Sequence, residues 1–303
     1  MNNIFINDFL VEALTKQYQE ELTNEIIKGY NCKRFTTIRI NTLKTSIEEV
    51  RCVLNNLGIE YEVNPLFEHA LIIKNRNSKE MLDIDLCKEG KIYLQSLSSQ
   101  LPALLLNPKE SCDILDMCAS PGSKTTYLAQ LVNNNSFITA CEIDKIRMER
   151  LKSNVSKLGV TCVNFMCTDS RKLDDYFRFD QILLDAPCSG SGTLSIYDKS
   201  MTKFSKALVY NSSKLQFELL KKALTILKPG SEMIYSTCSI LDIENEEVVN
   251  KILKLNNCKI VPFDDDIKKY VPLLPTKIEG TLCIKPNEYF EGFFVAKIKK
   301  INK

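Results

Sequence analysis

Apolar positions change period several times in the first third of the chain. Residues 8–30 carry Phe9, Leu10, Ala13, Leu14, Leu22, Ile26 and Ile27 among charges, which predicts an amphipathic helix ending near Gly29. Residues 36–43 have the composition of a strand. Residues 46–57 repeat Ile47, Val50, Val53, Leu54 and Leu57 at helical spacing, open on a Ser46/Glu49 capping-box pattern and close at Gly58. Residues 59–63 alternate and 70–74 form a short apolar run, so residues 36–75 are expected to fold as a small split βαβ sheet.

The rhythm changes from about residue 112. Strand patterns at 113–117, 137–141, 162–166, 181–185 and 232–236 alternate with helical stretches at 123–132, 144–158 and 212–227, and 291–299 supplies a last strand. That alternation predicts a doubly wound α/β domain, which binds ligands beyond the carboxyl ends of its strands. Two domains are expected, an N-terminal helical and α+β part over 1–107 and the α/β domain over 108–303, with no tail behind it and no fixed-period repeat in either.

Composition narrows the chemistry. Forty Lys and Arg against 38 Asp and Glu leave a net +2, so bulk charge does not make this a nucleic-acid binder. Charge is local instead: residues 199–228 hold Lys199, Lys203, Lys206, Lys214, Lys221, Lys222 and Lys228 with Glu218 as their one acid. The part beyond residue 107 carries +4 and the part before it −2, so phosphates should meet the α/β domain. A solvated helical face explains the same lysines without RNA. The single histidine, His69, argues against Ser-His-Asp hydrolysis and His-based zinc, and no Cys-x-x-Cys pair occurs among the 12 cysteines. The opening residues lack the basic start and apolar stretch of a secretory leader, and the run 101–106 is far too short to span a bilayer. A soluble, cytoplasmic protein with free thiols and no metal is expected.

Two sites carry the chemistry. Residues 116–125, Asp-Met-Cys-Ala-Ser-Pro-Gly-Ser-Lys-Thr, follow the first strand of the α/β domain and open a helix. Walker A would need Gly where Cys118 and Ser123 stand, and the dinucleotide pattern G-x-G-x-x-G also fails. A small ligand with an adenosine end remains, because Glu142 ends the second strand, where a carboxylate accepts ribose hydroxyls, and Asp169 follows the third. Helix capping is the competing explanation of both acids. The second site is a cysteine pair: Asp185-Ala-Pro-Cys188-Ser-Gly follows one strand, and Ser236-Thr-Cys238-Ser follows the next. A thiolate attacks electron-poor carbon, and a nearby Asp185 can exchange a proton with the ring being attacked. Carbon 5 of cytosine becomes nucleophilic once a thiolate adds at carbon 6, which then lets it accept methyl from a sulfonium. Most free cysteines are merely small buried residues, and Cys32, Cys52, Cys87, Cys112, Cys141, Cys162, Cys167, Cys258 and Cys283 are expected to be such.

These motifs, in this order, resemble the Nop/Sun family of S-adenosylmethionine-dependent RNA cytosine-5 methyltransferases. Further matching segments are Ile38-Arg-Ile-Asn-Thr-Leu-Lys44, Tyr93-Leu-Gln-Ser-Leu-Ser-Ser99, Leu227-Lys-Pro-Gly230, Glu244-Asn-Glu-Glu247 and Glu291-Gly-Phe-Phe294, so the resemblance covers nearly the whole chain. It implies a Rossmann-like class I methyltransferase with a mostly parallel seven-stranded sheet, preceded by a smaller α+β domain that is RRM-like and positions RNA. It further implies that Cys118, Ala119, Ser120, Pro121, Gly122, Ser123, Lys124, Glu142, Asp169 and Asp185 contact or adjoin S-adenosylmethionine. Cys238 would be the nucleophile, Cys188 would assist release, and Asp185 would steady the cytosine. The substrate implied is RNA and not DNA: small-subunit ribosomal RNA first, transfer RNA second, with a catalytically silent assembly factor a distant third. Oligomeric state is not legible, and a monomer is assumed. The chain departs from the family where Ser120 replaces a second alanine, where Ser123 replaces a frequent glycine, and at 195–198, which lacks a frequent arginine.

Overall fold

The computed structural model describes residues 7–197, 200–255 and 257–301. Lys199 and Asp198 lie outside the described residues, as does most of the opening segment. The chain divides into two compact units, Phe35–Leu183 and the remainder, in which the segment up to Arg34 joins Leu184 onwards. Helix α1 (Asp8–Tyr30) matches the amphipathic stretch and buries Leu10, Leu14, Tyr18, Ile26 and Tyr30, with a break in helical geometry at Gln19, φ 65°.

The unit Phe35–Leu183 begins with β1 (Thr36–Ile40), α2 (Ile47–Asn56), β2 (Tyr61–Glu62) and β3 (Ala70–Ile73), then α3 (Ser78–Asp83), α4 (Asp85–Lys88) and β4 (Ile92–Leu94). The four strands form a sheet in the order β2-β3-β1-β4, all neighbours antiparallel. β1 and β2, joined through α2, are separated by β3, which is the split arrangement expected. Its core is Ile38, Ile40, Leu71 and Ile73 packed under Val50, Leu54 and Met81. β1 is shorter than its apolar pattern because Asn41 turns the chain, donating its amide to the carbonyls of Gly90 (2.8 Å) and Leu158 (2.9 Å). The capping box at α2 is half formed. Ser46 accepts the Glu49 N–H at 3.1 Å, but the Glu49 carboxylate turns to the Thr45 hydroxyl and Lys91.

The same unit continues through α5 (Leu97–Leu106), β5 (Asp113–Asp116), α6 (Ser123–Leu131), β6 (Phe137–Cys141), α7 (Lys145–Lys157), β7 (Val163–Met166) and β8 (Phe179–Asp185). These strands run parallel in the order β8-β5-β6-β7. The apolar run 101–106 belongs to α5, a helix the pattern did not suggest because Pro102 stands inside it.

Arg39 ties the small sheet to α6. Its side chain is fully buried and donates to the Gln95 side-chain oxygen (2.7 Å), the Ser123 carbonyl (2.7 Å) and the Thr126 hydroxyl (2.9 Å). Its guanidinium lies over the rings of Tyr93 and Tyr127, and burial pulls its pKa down to about 10. Arg39→Met would keep the bulk yet orphan three buried acceptors. Denaturant titration should show a loss of about 2–4 kcal/mol.

The second unit adds α8 (Ser200–Lys203), α9 (Lys206–Ile226), β9 (Leu227–Thr237), α10 (Glu246–Leu253), β10 (Cys258–Ile260), β11 (Leu273–Leu274), β12 (Leu282–Ile284) and β13 (Phe293–Lys300). Here β9, β13, β12 and β11 pair antiparallel in that order, and β10 pairs with the far side of β13's end. From β5 onwards there are nine strands among the described residues rather than seven. The short β10 and β11, of three and two residues, account for the difference. Among the described residues no helix is long and apolar enough to cross a membrane.

The expectation of uniformly buried spare cysteines needs correction. Cys87, Cys141, Cys258 and Cys283 are buried, but Cys52 and Cys167 are exposed and Cys32, Cys112 and Cys162 are half-buried. Cys52 sits on the outward face of α2 between the buried Val50 and Leu54, where helical periodicity turns it to water.

Candidate active site

The cysteine pair forms where β8 and β9 end. Beyond Asp185 the chain is fastened by the Ala186 N–H to the Ser236 carbonyl (2.8 Å), and the Ser236 hydroxyl donates to the Asp185 carboxylate (2.8 Å). The Cys188 and Cys238 sulfurs stand 3.0 Å apart, both partly exposed. Contact with Cys238 and then burial push the Cys188 thiol well above its ordinary pKa, and the charge of Glu244 adds to the shift.

The loops that carry the two sulfurs are joined at several points. The Gly192 N–H donates to the Cys238 carbonyl (2.9 Å), and the Gly292 N–H donates to the Gly192 carbonyl (2.8 Å). A Cβ on Gly192 would lie 2.0 Å from the Gly292 carbonyl oxygen, so only glycine allows this approach. Glu244, fully buried, accepts the Ser189 N–H (2.7 Å), the Ser189 hydroxyl (2.6 Å) and the Ser239 hydroxyl (2.6 Å). The Thr237 hydroxyl donates to the Asn245 side-chain oxygen (2.6 Å), whose amide donates to the Ser239 carbonyl (2.9 Å). Helix α1 braces the same loops: Tyr18 donates to the Ile240 carbonyl (2.7 Å) and Tyr30 to the Ser191 carbonyl (2.7 Å).

In the unit Phe35–Leu183, Asp116, Glu142 and Asp169 stand at or just beyond the carboxyl ends of three adjacent parallel strands, β5, β6 and β7. The connecting loop is held from several sides. The Ser120 hydroxyl donates to the Arg147 carbonyl (2.8 Å), Asn154 donates to the Pro121 carbonyl (2.8 Å), and the Ala119 N–H donates to the Cys141 carbonyl (2.9 Å). Gly122 has φ +104°, and a Cβ there would press 2.9 Å from Leu151, so the loop reaches α6 only through glycine. No side chain caps α6. Lys124 is buried and donates to the Ser99 hydroxyl (2.9 Å).

The two acids after β6 and β7 are occupied differently. Glu142, 4% exposed, accepts the Asp144 N–H at 2.9 Å and lies 3.4 Å from Arg147, while Asp144 and not Glu142 caps α7. Asp169 does cap the 3-10 turn that follows it, and its hydrogen bond with Arg171 holds its carboxyl below the usual range.

All the sequence-predicted site residues are thus placed within two clusters, one around the Cys118–Lys124 loop and one around Asp185, Cys188 and Cys238. Pattern reading missed Glu244 and Arg39. The available signal for Glu244 was that a serine follows each of the two cysteines, inviting one shared acceptor.

The strand arrangement and the loop at the end of β5 define a class I methyltransferase fold. A crystal structure titled as a methyltransferase homolog protein from Pyrococcus horikoshii superposes with a TM-score of 0.83 at 30% identity, covering 98% of this chain and all of that one. Residues 103–299 match the family model described as 16S rRNA methyltransferase RsmB/F, and residues 6–79 match its ferredoxin-like domain. The chain belongs to the RsmB/F family. It is 34% identical to the tRNA (cytosine(49)-C(5))-methyltransferase of Pyrococcus abyssi over 97% of this chain and 96% of that protein. It is 31% identical to the ribosomal RNA small subunit methyltransferase F of Shewanella loihica over 98% of this chain and 63% of that one. The chain spans 38% of the length of the human 28S rRNA (cytosine(4447)-C(5))-methyltransferase and 96% of that of the archaeal tRNA enzyme.

Proposed function

We propose that the protein methylates carbon 5 of a cytosine in RNA, with S-adenosylmethionine as donor, and that its substrate is small-subunit ribosomal RNA. The observation that supports this most is the 3.0 Å separation of the Cys188 and Cys238 sulfurs. Two thiols so close suit one pyrimidine, one sulfur attacking and the other managing a proton. The likeness to the Nop/Sun motifs gives Cys238, of Thr-Cys-Ser, the addition to carbon 6 and Cys188, of Pro-Cys, the release of the product. The electrons of the ring then make carbon 5 nucleophilic, and Asp185, steadied by Ser236, faces the ring's polar edge. After methylation the carbon 5 proton departs to a base, the ring double bond reforms and Cys238 is expelled. The Cys188 proton, one hydrogen bond from that sulfur, assists its departure.

The residues present fit the donor. Carboxylates Glu142 and Asp169 suit hydroxyl and ammonium groups, and the uncapped start of α6 beside Lys124 suits a carboxylate. Residues 118–124 with Glu142 and Asp169 would hold S-adenosylmethionine, which when bound supplies a methyl group on a positively charged sulfur. On this reading residues 1–107 position RNA and 108–303 carry out the transfer, in the cytoplasm, as a monomer and without a metal.

Lysines on α9 supply phosphate contacts. Lys206, Lys214 and Lys221 recur on one face with the partly exposed Tyr210 between them, a basic stripe with an aromatic available for stacking. Replacing these three lysines with glutamine should reduce the salt slope of RNA binding by about 2, at nearly unchanged kcat. An unchanged slope, measured by filter binding from low to moderate salt, would remove the stripe from the interface.

Transfer RNA is the second reading, favoured by the near full-length match to the archaeal tRNA enzyme. Bisulfite sequencing of total RNA with and without the gene decides between them: a lost 5-methylcytosine in small-subunit RNA supports the first, a lost tRNA mark the second. A purified enzyme that methylates DNA or free cytidine but not RNA would contradict both.

A further inference from the structure

Glu244 is a buried acid at the centre of the cysteine loops. Each carboxylate oxygen is engaged: Oε1 by the Ser189 N–H, Oε2 by the hydroxyls of Ser189 and Ser239. Its partners are the two hydroxyls, the Ser189 N–H and, at 3.5 Å, the Gln216 side-chain amide, not a cation, so the negative charge is held by dipoles alone in a dry setting, and burial raises its pKa. The proton directions follow. Ser239 donates to Glu244, so the Ser191 hydroxyl, 2.8 Å away, donates to Ser239 and accepts the Ile240 N–H at 3.0 Å. Ser189 follows Cys188 directly and Ser239 follows Cys238 directly, so one carboxylate grips both loops one residue from each sulfur.

We infer that Glu244 is a positioning residue for the thiol pair: it holds the two Cys-Ser loops in register, and its buried charge opposes thiolate formation at Cys188 beside it. This rests on the methyl-transfer reading for its consequence but not for its test. The titratable groups around Cys188 are Cys238, Glu244, Tyr235 and Asp185. Tyr235 donates its hydroxyl to the Glu244 backbone carbonyl (2.6 Å), and Asp185 is engaged by Ser236, which leaves Glu244 as the fixed buried charge among them. A neutral residue at 244 would keep much of the shape and remove the bias.

The experiment compares wild type, Glu244→Gln, Glu244→Asp and the Ser189→Ala/Ser239→Ala pair by iodoacetamide alkylation of each cysteine against pH, mapped by mass spectrometry without RNA or cofactor. Glu244→Gln should shift Cys188 alkylation to lower pH, whereas Glu244→Asp, which keeps a carboxylate at this position, should shift it less. A merely structural role would move both Glu244 variants alike and overturns the proposal. In steady-state assays Glu244→Gln should lower kcat about a hundredfold with little change in KM for RNA. Wild-type kcat together with an unmoved Cys188 profile also overturns it. Should Glu244→Gln lack a cooperative thermal transition, the serine pair decides: it should lose turnover, and undiminished turnover overturns the proposal. If wild type itself fails to methylate RNA, the functional reading falls while the alkylation comparison still tests Glu244.

Discussion

Cys238→Ala is expected to abolish methyl transfer, by about three orders of magnitude or more, while Cys188→Ala is expected to accumulate protein covalently bound to RNA. The asymmetry follows from the roles proposed for the two sulfurs. Without Cys238 nothing adds to carbon 6, so carbon 5 is never activated. Without Cys188 the addition still occurs, but the sulfur that must leave has lost the thiol 3.0 Å away. Denaturing gels of each variant with substrate RNA and S-adenosylmethionine read both outcomes at once, as a shifted band for Cys188→Ala and none for Cys238→Ala. Two single variants of equal activity would refute the assigned roles.

Gly192→Ala should be the most damaging conservative change outside the sulfurs. The new methyl would meet backbone, with the Gly292 carbonyl oxygen at 2.0 Å and its carbon at 2.4 Å, so no side-chain rotation relieves it. Separating those two segments also breaks the bonds from Gly192 to Cys238 and from Gly292 to Gly192, which hold the sulfur-bearing loops together. A loss of about 3 kcal/mol, seen as a melting point about 6–10 °C lower, should accompany loss of turnover. Gly58→Ala is the comparison. Nothing lies within 4 Å of its Cβ and only the φ of +63° opposes it, so it should cost about 1 kcal/mol and leave turnover intact.

Much of this was legible in the chain because the periodicities are local. The strand at 137–141 and the helices at 8–30 and 46–57 emerge within a residue or two of the pattern, since each buries one face whose spacing the sequence displays. The two thiols were legible as neighbours for a topological reason: in an α/β sheet, residues just after successive strands share an edge. What was hidden depends on partners distant in sequence. Gly192 and Gly292 are 100 positions apart, and neither turn signature discloses that they touch. Glu244 sits in a segment that resembles its relatives, yet its role appears only when Ser189 and Ser239 are brought to it. A strand pattern does not disclose the burial of Arg39: all five residues of β1 are buried, one face against the small core and the other against α6. The exposed Cys52 and Cys167 mark the opposite failure, where a residue type's average preference gave way to helix phase and loop position.

The most direct test is to incubate the wild-type protein with S-adenosylmethionine and RNA containing 5-fluorocytosine, whose carbon 5 has no proton to surrender, and to locate the trapped nucleotide by mass spectrometry. Attachment to Cys238, with Cys188 unmodified, is the predicted result. A nucleotide on Cys188, or methylation of ordinary RNA with no adduct on either cysteine, would contradict the account.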